Sequence, residues 1–206
     1  MAELRRHLVV MARAPRLGTV KRRLARDIGD LEALRFYRGH TAALLGALAG
    51  DRRWTTWLAV TPDAAARERR GLWRFDGPVL AQGRGDLGRR MGHILAILPP
   101  GPALIVGSDI PGITRQRVWR AFRALGVHDW VFGSAEDGGY WLIGARRRPV
   151  LRLPFVGVRW STPDALTDTL ANLPDGKVAF VDRLGDVDSG VDFRRLYAAA
   201  SSRCGR

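Results

Sequence analysis

Two unbroken apolar runs, Leu8-Val9-Val10-Met11-Ala12 and Ala103-Leu104-Ile105-Val106, constrain this chain more than any other feature. A strand with one wet face alternates apolar and polar residues. A run with no polar position needs cover on both faces, which is the signature of a central strand in a parallel sheet. The remaining pattern supplies the cover. Apolar residues at three- and four-residue steps (Leu34, Tyr37, Thr41, Leu44, Leu45, Leu48) predict a helix over Leu31–Leu48. Further helices are expected over Thr19–Ile28, with Thr19 as cap and Gly29 as stop, and over Asp86–Leu98, Thr114–Leu125, Ser161–Leu173 and Gly190–Ala199. A short helix should follow Thr61-Pro62, and Gly71–Pro78 reads as irregular. Strands are expected at Trp54–Val60, Val79–Ala81, Trp130–Gly133, Tyr140–Gly144 and Lys177–Val181. Strands alternating with helices predict an α/β three-layer sandwich around a mostly parallel sheet, with the first strand central and parallel to Ala103–Val106. No linker or internal repeat interrupts the 206 residues, so one domain spanning 1–206 is expected.

Composition narrows the function. The formal charge is +14, yet the only lysines are Lys21 and Lys177. The positive charge is therefore arginine, and it is scattered rather than gathered in a basic tail, which reads as a solvated surface more readily than as a nucleic-acid face. Aromatic residues are not interleaved with the basic ones as single-strand binders require. The single cysteine, Cys204, excludes an intrachain disulfide and a cysteine-based zinc site. No apolar stretch approaches the roughly 20 residues of a spanning helix. The apolar run after Arg5-Arg6 ends at Arg13, too short for an export core, so a cytoplasmic protein is expected. The histidines show no metal-ligand spacing, and no Gly-x-Ser-x-Gly elbow occurs.

Five segments carry possible chemistry. Arg13-Ala14-Pro15-Arg16-Leu17-Gly18-Thr19-Val20-Lys21 follows the first strand and runs into a helix. Backbone N–H groups at such a junction suit phosphate, Gly18 permits close approach, and Arg13 and Lys21 can pair with phosphate oxygens. An ordinary strand–helix turn is the plainer alternative. Asp109, in Gly107-Ser108-Asp109-Ile110-Pro111-Gly112, lies at the carboxyl end of the second apolar run, where open α/β sheets bind ligands, and can hold Mg²⁺. Gln82-Gly83 precede a helix that Asp86 is placed to cap, and Gln82 can read a base edge or ribose. Glu136-Asp137-Gly138-Gly139 suits either a tight hairpin or a ligand-lining loop. Asp186-Val187-Asp188 can complete a metal site, or Asp188 or Ser189 can cap the last helix.

Taken in order, these segments resemble a glycosyltransferase-A-like family of largely uncharacterised bacterial proteins, related to the molybdenum-cofactor and phospholactate guanylyltransferases. The matching positions are Arg13, Pro15, Gly18, Lys21, Arg22, Arg23 and Leu24; Gln82 with Gly85 to Met91; Gly107 to Gly112; Ala135 to Tyr140; Trp160 to Thr162; and Asp186 to Asp188. Arg13 stands where the family usually has lysine, Arg22 where it has threonine, Ile110 for a common cysteine and Ser134 for a common proline. The resemblance implies a nucleotide-diphospho-sugar transferase-like fold and a nucleotide-activated donor lying across the carboxyl ends of the strands. It implies Mg²⁺ or Mn²⁺ on Asp109 and Asp188, and catalytic roles for Asp109 and Lys21. It also implies nucleotide or phosphate contacts from Arg13, Gly18, Lys21, Gln82 and Gly83. The small-molecule acceptor would meet Asp137, Gly138, Gly139, Tyr140 and Trp160. Glycosyl transfer from a nucleotide sugar is the leading expectation. The alternatives are nucleotidyl transfer from a nucleoside triphosphate to a phosphorylated small molecule, and a non-catalytic nucleotide- or nucleic-acid-binding module.

Overall fold

The computed structural model describes residues 4–68, 72–147 and 151–204. Seven strands form one sheet: β1 (His7–Arg13), β2 (Thr55–Thr61), β3 (Val79–Ala81), β4 (Ala103–Gly107), β5 (Trp130–Ala135), β6 (Tyr140–Ala145) and β7 (Val178–Leu184), in the order β3-β2-β1-β4-β6-β5-β7. Only β6 runs antiparallel to its neighbours. As the apolar runs require, β1 lies inside the sheet, parallel to β4, with Leu8 facing Leu104 and Val10 facing Val106. Both strands are buried, and their side chains divide between two cores. Leu8, Val10, Leu104 and Val106 point to the layer holding α2 (Asp30–Ala49) and α4 (Arg115–Ala124), whereas Val9 and Ile105 point to α3 (Leu87–Ile97) and α5 (Ala165–Ala171). That is the three-layer sandwich. A third cluster joins α1 (Arg22–Ile28), α2 and α6 (Gly190–Cys204): Leu24, Ala33, Phe36 and Val187 are buried in it, with Phe193 and Leu196 of α6 packed against them. Among the described residues, no helix is long and apolar enough to cross a membrane.

Side-chain caps fix the starts of two central helices. Asp86 accepts a hydrogen bond from the Arg89 N–H (2.8 Å) and opens α3, and Thr114 accepts one from Arg117 and opens α4. Two helices start later than the periodicity predicts. Thr19 does not cap α1: its hydroxyl donates to the Arg16 carbonyl (2.8 Å) and closes a turn, so the helix begins at Arg22. Likewise Thr162 donates to the Arg159 carbonyl and accepts from the Asp164 N–H, which delays α5 to Ala165. The Thr61-Pro62 helix is a single 3-10 turn over Asp63–Ala66. Gly71 lies outside the described residues; Leu72–Pro78 is irregular, as expected.

Candidate active site

The parallel strands bring their carboxyl ends to one edge of the sheet. In register, Arg13 lies beside Thr61, and Met11 beside Gly107, two residues before Asp109. A cleft of about 310 Å³ opens there, lined by Arg13, Thr19, Lys21, Tyr37, Gln82 and Asp109 among others. Two of its lining residues, Lys21 and Asp109, belong to an ion-pair cluster. The Lys21 ammonium lies 2.9 Å from Asp109 Oδ2 and donates to Asp188 Oδ1 at 2.8 Å. The two carboxylate oxygens are therefore no further apart than those two distances laid end to end. Lys21 and Asp188, 167 positions apart in sequence, meet in this cluster.

The Lys21 side chain is only 4% exposed, against 40% for Asp109 and 36% for Asp188. Burial alone would depress the ammonium pKa, but the two carboxylates outweigh it and the net shift is upward. Asp188 responds oppositely: burial raises its pKa, Lys21 and Arg23 lower it, and the net direction is down. Lys21 also sits in the left-handed backbone region, φ 46°, where a side chain is strained. In this backbone conformation its side chain reaches both acids.

The start of the final helix shows which residue caps it. Ser189 Oγ accepts from the Asp192 N–H, while Asp192 Oδ2 accepts from both the Ser189 N–H (3.0 Å) and its hydroxyl (2.6 Å). This reciprocal capping box makes Ser189 the cap. Asp27 further pins the turn by accepting the Gly190 N–H at 2.7 Å. Asp188 is left out of the cap and pairs with Lys21 and Arg23 instead.

Sequence reasoning missed two members. Asp186 lies beside Asp188, half-buried, and its carboxyl is pushed up to about 6, first by burial and then by the neighbouring Asp188 charge. It belonged to the same Asp-Val-Asp motif, but nothing in the spacing said that both acids turn inward. Tyr37 reads as one position of the apolar stripe of α2. Its hydroxyl accepts the Arg13 N–H (2.9 Å), donates to the Arg13 carbonyl (3.1 Å) and lies 3.0 Å from Ser108 Oγ. It thereby ties the loop after β1 to the loop after β4. Burial raises its pKa and keeps it neutral. A hydroxyl within an otherwise apolar stripe was the available signal.

The other expected site residues divide. Arg13 is exposed at the cleft, and its guanidinium makes no ion pair among the described residues. Gly18 has φ +70° with open space around it. Gln82 is buried, and its amide nitrogen donates to the carbonyls of Ala12 (3.1 Å) and Ala59 (2.9 Å). Its –NH₂ therefore fastens strands, leaving the amide oxygen as the group able to meet a ligand. The Gly83 N–H is engaged by Asp63 at 3.1 Å.

Residues 136–139 form the hairpin turn between β5 and β6, closed by Ala135 N–H to Gly139 O at 2.9 Å. That turn lies at the same sheet edge as the cleft. Gly138 is needed there twice over. Its φ is +87°, and a Cβ would lie 2.2 Å from the Pro163 carbonyl oxygen. The Asp137 carboxylate accepts the Gly139 N–H (3.0 Å) and so stiffens the turn. Tyr140 packs edge-on against Trp160, ring centroids 6.4 Å apart, and Trp160 against Phe155. Burial raises the Tyr140 pKa, and its hydroxyl donates weakly to Thr169 at 3.5 Å.

The donor set fits a divalent cation. Two carboxylates already converge on a single positive charge, and Mg²⁺ is commonly held by one or two carboxylates plus phosphate and water. Among the described residues, no group of three or more His, Cys, Asp or Glu side chains is arranged as a ready-made cage. Hence ligand oxygens would have to complete the coordination.

The geometry can be set beside known proteins. A family model described as "Uncharacterized protein conserved in bacteria (DUF2064)" matches residues 44–162. The fold is similar to a crystal structure from Desulfovibrio desulfuricans G20, provisionally assigned as a nucleotide-diphospho-sugar transferase. The TM-score is 0.86 and the identity 30%, over 93% of this chain and 86% of that one. It is also similar to 4-diphosphocytidyl-2C-methyl-D-erythritol synthase from Anaerococcus prevotii DSM 20548, with TM-score 0.64 and 12% identity over 96% of both chains. A manganese complex of Rv0371c from Mycobacterium tuberculosis H37Rv matches with TM-score 0.55 and 18% identity, over 95% of this chain and 98% of that one. No curated protein sequence matches the chain. These likenesses establish the fold as that of the nucleotide-diphospho-sugar transferases.

Proposed function

This chain belongs to the DUF2064 family of bacterial proteins, and we propose that it is a transferase using a nucleotide-activated donor with a divalent metal, most simply a glycosyltransferase with a nucleotide sugar. The observation that carries this reading is the convergence of Asp109 and Asp188 on one cation at the end of a cleft lined by basic residues. The 30%-identical relative, assigned to the nucleotide-diphospho-sugar transferases, supports the donor class. Mg²⁺ or Mn²⁺ on Asp109 and Asp188 would offset the charge that grows on a pyrophosphate as its bond to the transferred group breaks.

The chain's own residues do the rest. Arg13, with no acidic partner among the described residues, binds a phosphate oxygen from the rim, and Lys21 supplies a second positive charge from the wall of the cleft. Tyr37 holds the Arg13 backbone and Ser108 in fixed relation, so the phosphate loop and Asp109 keep their spacing. Gly18 lets the loop backbone approach the ligand, and Gln82 Oε1 with Gly83 flanks the nucleoside. The Asp137-Gly138-Gly139 turn, Tyr140 and Trp160 form the acceptor side. Two cores built on one sheet support a single domain over 1–206. On this reading the partners are small molecules and the location is cytoplasmic.

Nucleotidyl transfer is the second reading. The cations Arg13, Lys21 and Arg23 near one end of the cleft suit a triphosphate whose leaving group is pyrophosphate. One experiment separates the two. The protein is incubated with Mn²⁺ and a panel of nucleotide sugars and nucleoside triphosphates, and the released product is identified. A nucleoside diphosphate supports glycosyl transfer, and pyrophosphate supports nucleotidyl transfer. Release of neither, together with no nucleotide-induced rise in melting temperature, overturns both; a saturating ligand at 100 times its dissociation constant should stabilise by about 2.7 kcal/mol.

A further inference from the structure

The Lys21 ammonium occupies the space between the two carboxylates assigned to the metal. We propose that Lys21 is a resident counter-cation, displaced by the divalent ion and handed over to the donor's phosphates. This rests on the reading of Asp109 and Asp188 as the metal pair.

Three observations lead there. First, Lys21 Nζ is within 2.9 Å of Asp109 Oδ2 and 2.8 Å of Asp188 Oδ1, so it uses the oxygens a metal would need. Two cations cannot share those oxygens without strong repulsion at such range. Second, without Lys21 the Asp109 and Asp188 carboxylates would crowd one another uncompensated, since both lie within 2.9 Å of the point its ammonium occupies. The lysine therefore compensates the two acids and holds the site together before any ligand arrives. Third, Lys21 also lines the cleft with Arg13 and Thr19, so rotation of its side chain carries the ammonium toward a bound phosphate without moving the backbone. Meanwhile Arg23, 3.3 Å from Asp188 Oδ2 and exposed, can stay on the outer oxygen. The chain thus couples metal and phosphate binding. Whatever draws Lys21 off the aspartates favours the metal, and the metal frees Lys21 for the phosphates, each by the same factor.

The chain's lysine content makes a direct test possible on the unmodified protein. Only Lys21 and Lys177 carry side-chain amines, so Lys177 serves as an internal control. Amine acylation is followed by mass spectrometry, with Mn²⁺ binding read independently by electron paramagnetic resonance. Without metal, Lys21 should label slowly. Saturating Mn²⁺ alone should raise its rate at least tenfold with Lys177 unchanged, and added pyrophosphate should slow it again. As a second measurement, Lys21→Met should bind Mn²⁺ at least tenfold more tightly than the wild type in the absence of phosphate, and Lys21→Arg should not. Binding of Mn²⁺ with no change in Lys21 labelling overturns the displacement while leaving the metal pair standing. Absence of Mn²⁺ binding to both the wild type and Lys21→Met, with phosphate present or absent, overturns the metal pair itself and the displacement with it.

Discussion

Two clusters in this molecule share one motif, a cation held between two aspartates, and differ in almost everything else. At the cleft, Lys21 joins Asp109 and Asp188 with 4% of its side chain exposed. On the surface, Arg159 joins Asp164 and Asp168 with 61% exposed. The surface cluster is a fastener. Asp168 accepts the Arg159 N–H at 3.0 Å and its guanidinium in a bidentate grip at 2.9 Å, which holds the turn carrying Trp160. All its partners lie within nine residues, and planar guanidinium matches planar carboxylate. The cleft cluster uses lysine, a compact point charge on a flexible stem, and joins elements far apart in the chain. Geometry that locks suits anchoring, and a single-point contact that can turn away suits exchange.

The largest contrast should appear on removing an acid. Asp109→Asn should lower Mn²⁺ affinity at least a hundredfold, about 2.7 kcal/mol, with a smaller loss of stability in chelator, because Lys21 keeps Asp188 as a partner. Asp164→Asn should leave Mn²⁺ binding at the wild-type level. Calorimetric titration checks both. Equal losses would erase the distinction between the clusters.

Removing the cation comes next. In chelator, Lys21→Met should cost about 2–3 kcal/mol in urea unfolding. That is less than a fully buried pair loses, because both acids reach solvent. Arg159→Met should shift the urea midpoint far less, since water screens an exposed pair. A Lys21 variant as stable as the Arg159 one would mean that burial adds nothing.

Arg13 extends the comparison to a cation with no acidic partner among the described residues. Arg13→Ala should weaken binding of a phosphorylated donor by one to two orders of magnitude, given about 1.5–3 kcal/mol for a charge-assisted hydrogen bond. It should not change affinity for the uncharged nucleoside. Equal weakening of both would mark Arg13 as structural.

The smallest effects concern pH, and Asp168 of the surface cluster and Asp186, the acid beside the cleft cluster, should respond with opposite signs. Arg159 holds Asp168 down at about 2, so that aspartate's contribution is present above the ordinary carboxylate value of 3.8 and fades as pH falls toward 2. Asp168→Asn should therefore be less stable than wild type near neutrality and converge with it in acid. Asp186 is held up at about 6, so between 3.8 and 6 the folded chain keeps a proton the unfolded chain has released. Its stability contribution is lost as pH rises through that window. Asp186→Asn in chelator should be more stable than wild type above pH 6, by about 1 kcal/mol after allowing for its partial exposure, and equal to it below pH 4. Urea midpoints across pH 2–8 check both curves.

Much of the fold was legible in the sequence. Val79–Ala81 lies where the pattern placed it, and β1 and β4 could only be inner parallel strands, because Leu8–Ala12 and Ala103–Val106 contain no polar residue. The caps Asp86 and Thr114 were readable because they act within their own first turn. Thr19 and Thr162 misled for the same local reason: a hydroxyl can serve a preceding carbonyl as readily as a following N–H, and only the backbone path decides.

The sequence by itself determined an α/β sandwich, a basic loop after the first strand, and acids at the ends of two others. Those are consequences of periodicity and of where strands stop. Only the tertiary structure decided that Lys21 stands between Asp109 and Asp188, that Asp186 turns inward, that Tyr37 binds two loops together, and that Gln82 spends its amide on the backbone. These arrangements depend on contacts between segments far apart in the chain, 70 residues for Gln82 and Ala12 and 167 for Lys21 and Asp188. Local preference says how a segment folds, but packing the helices on both faces of the sheet fixes which side chains meet at its edge.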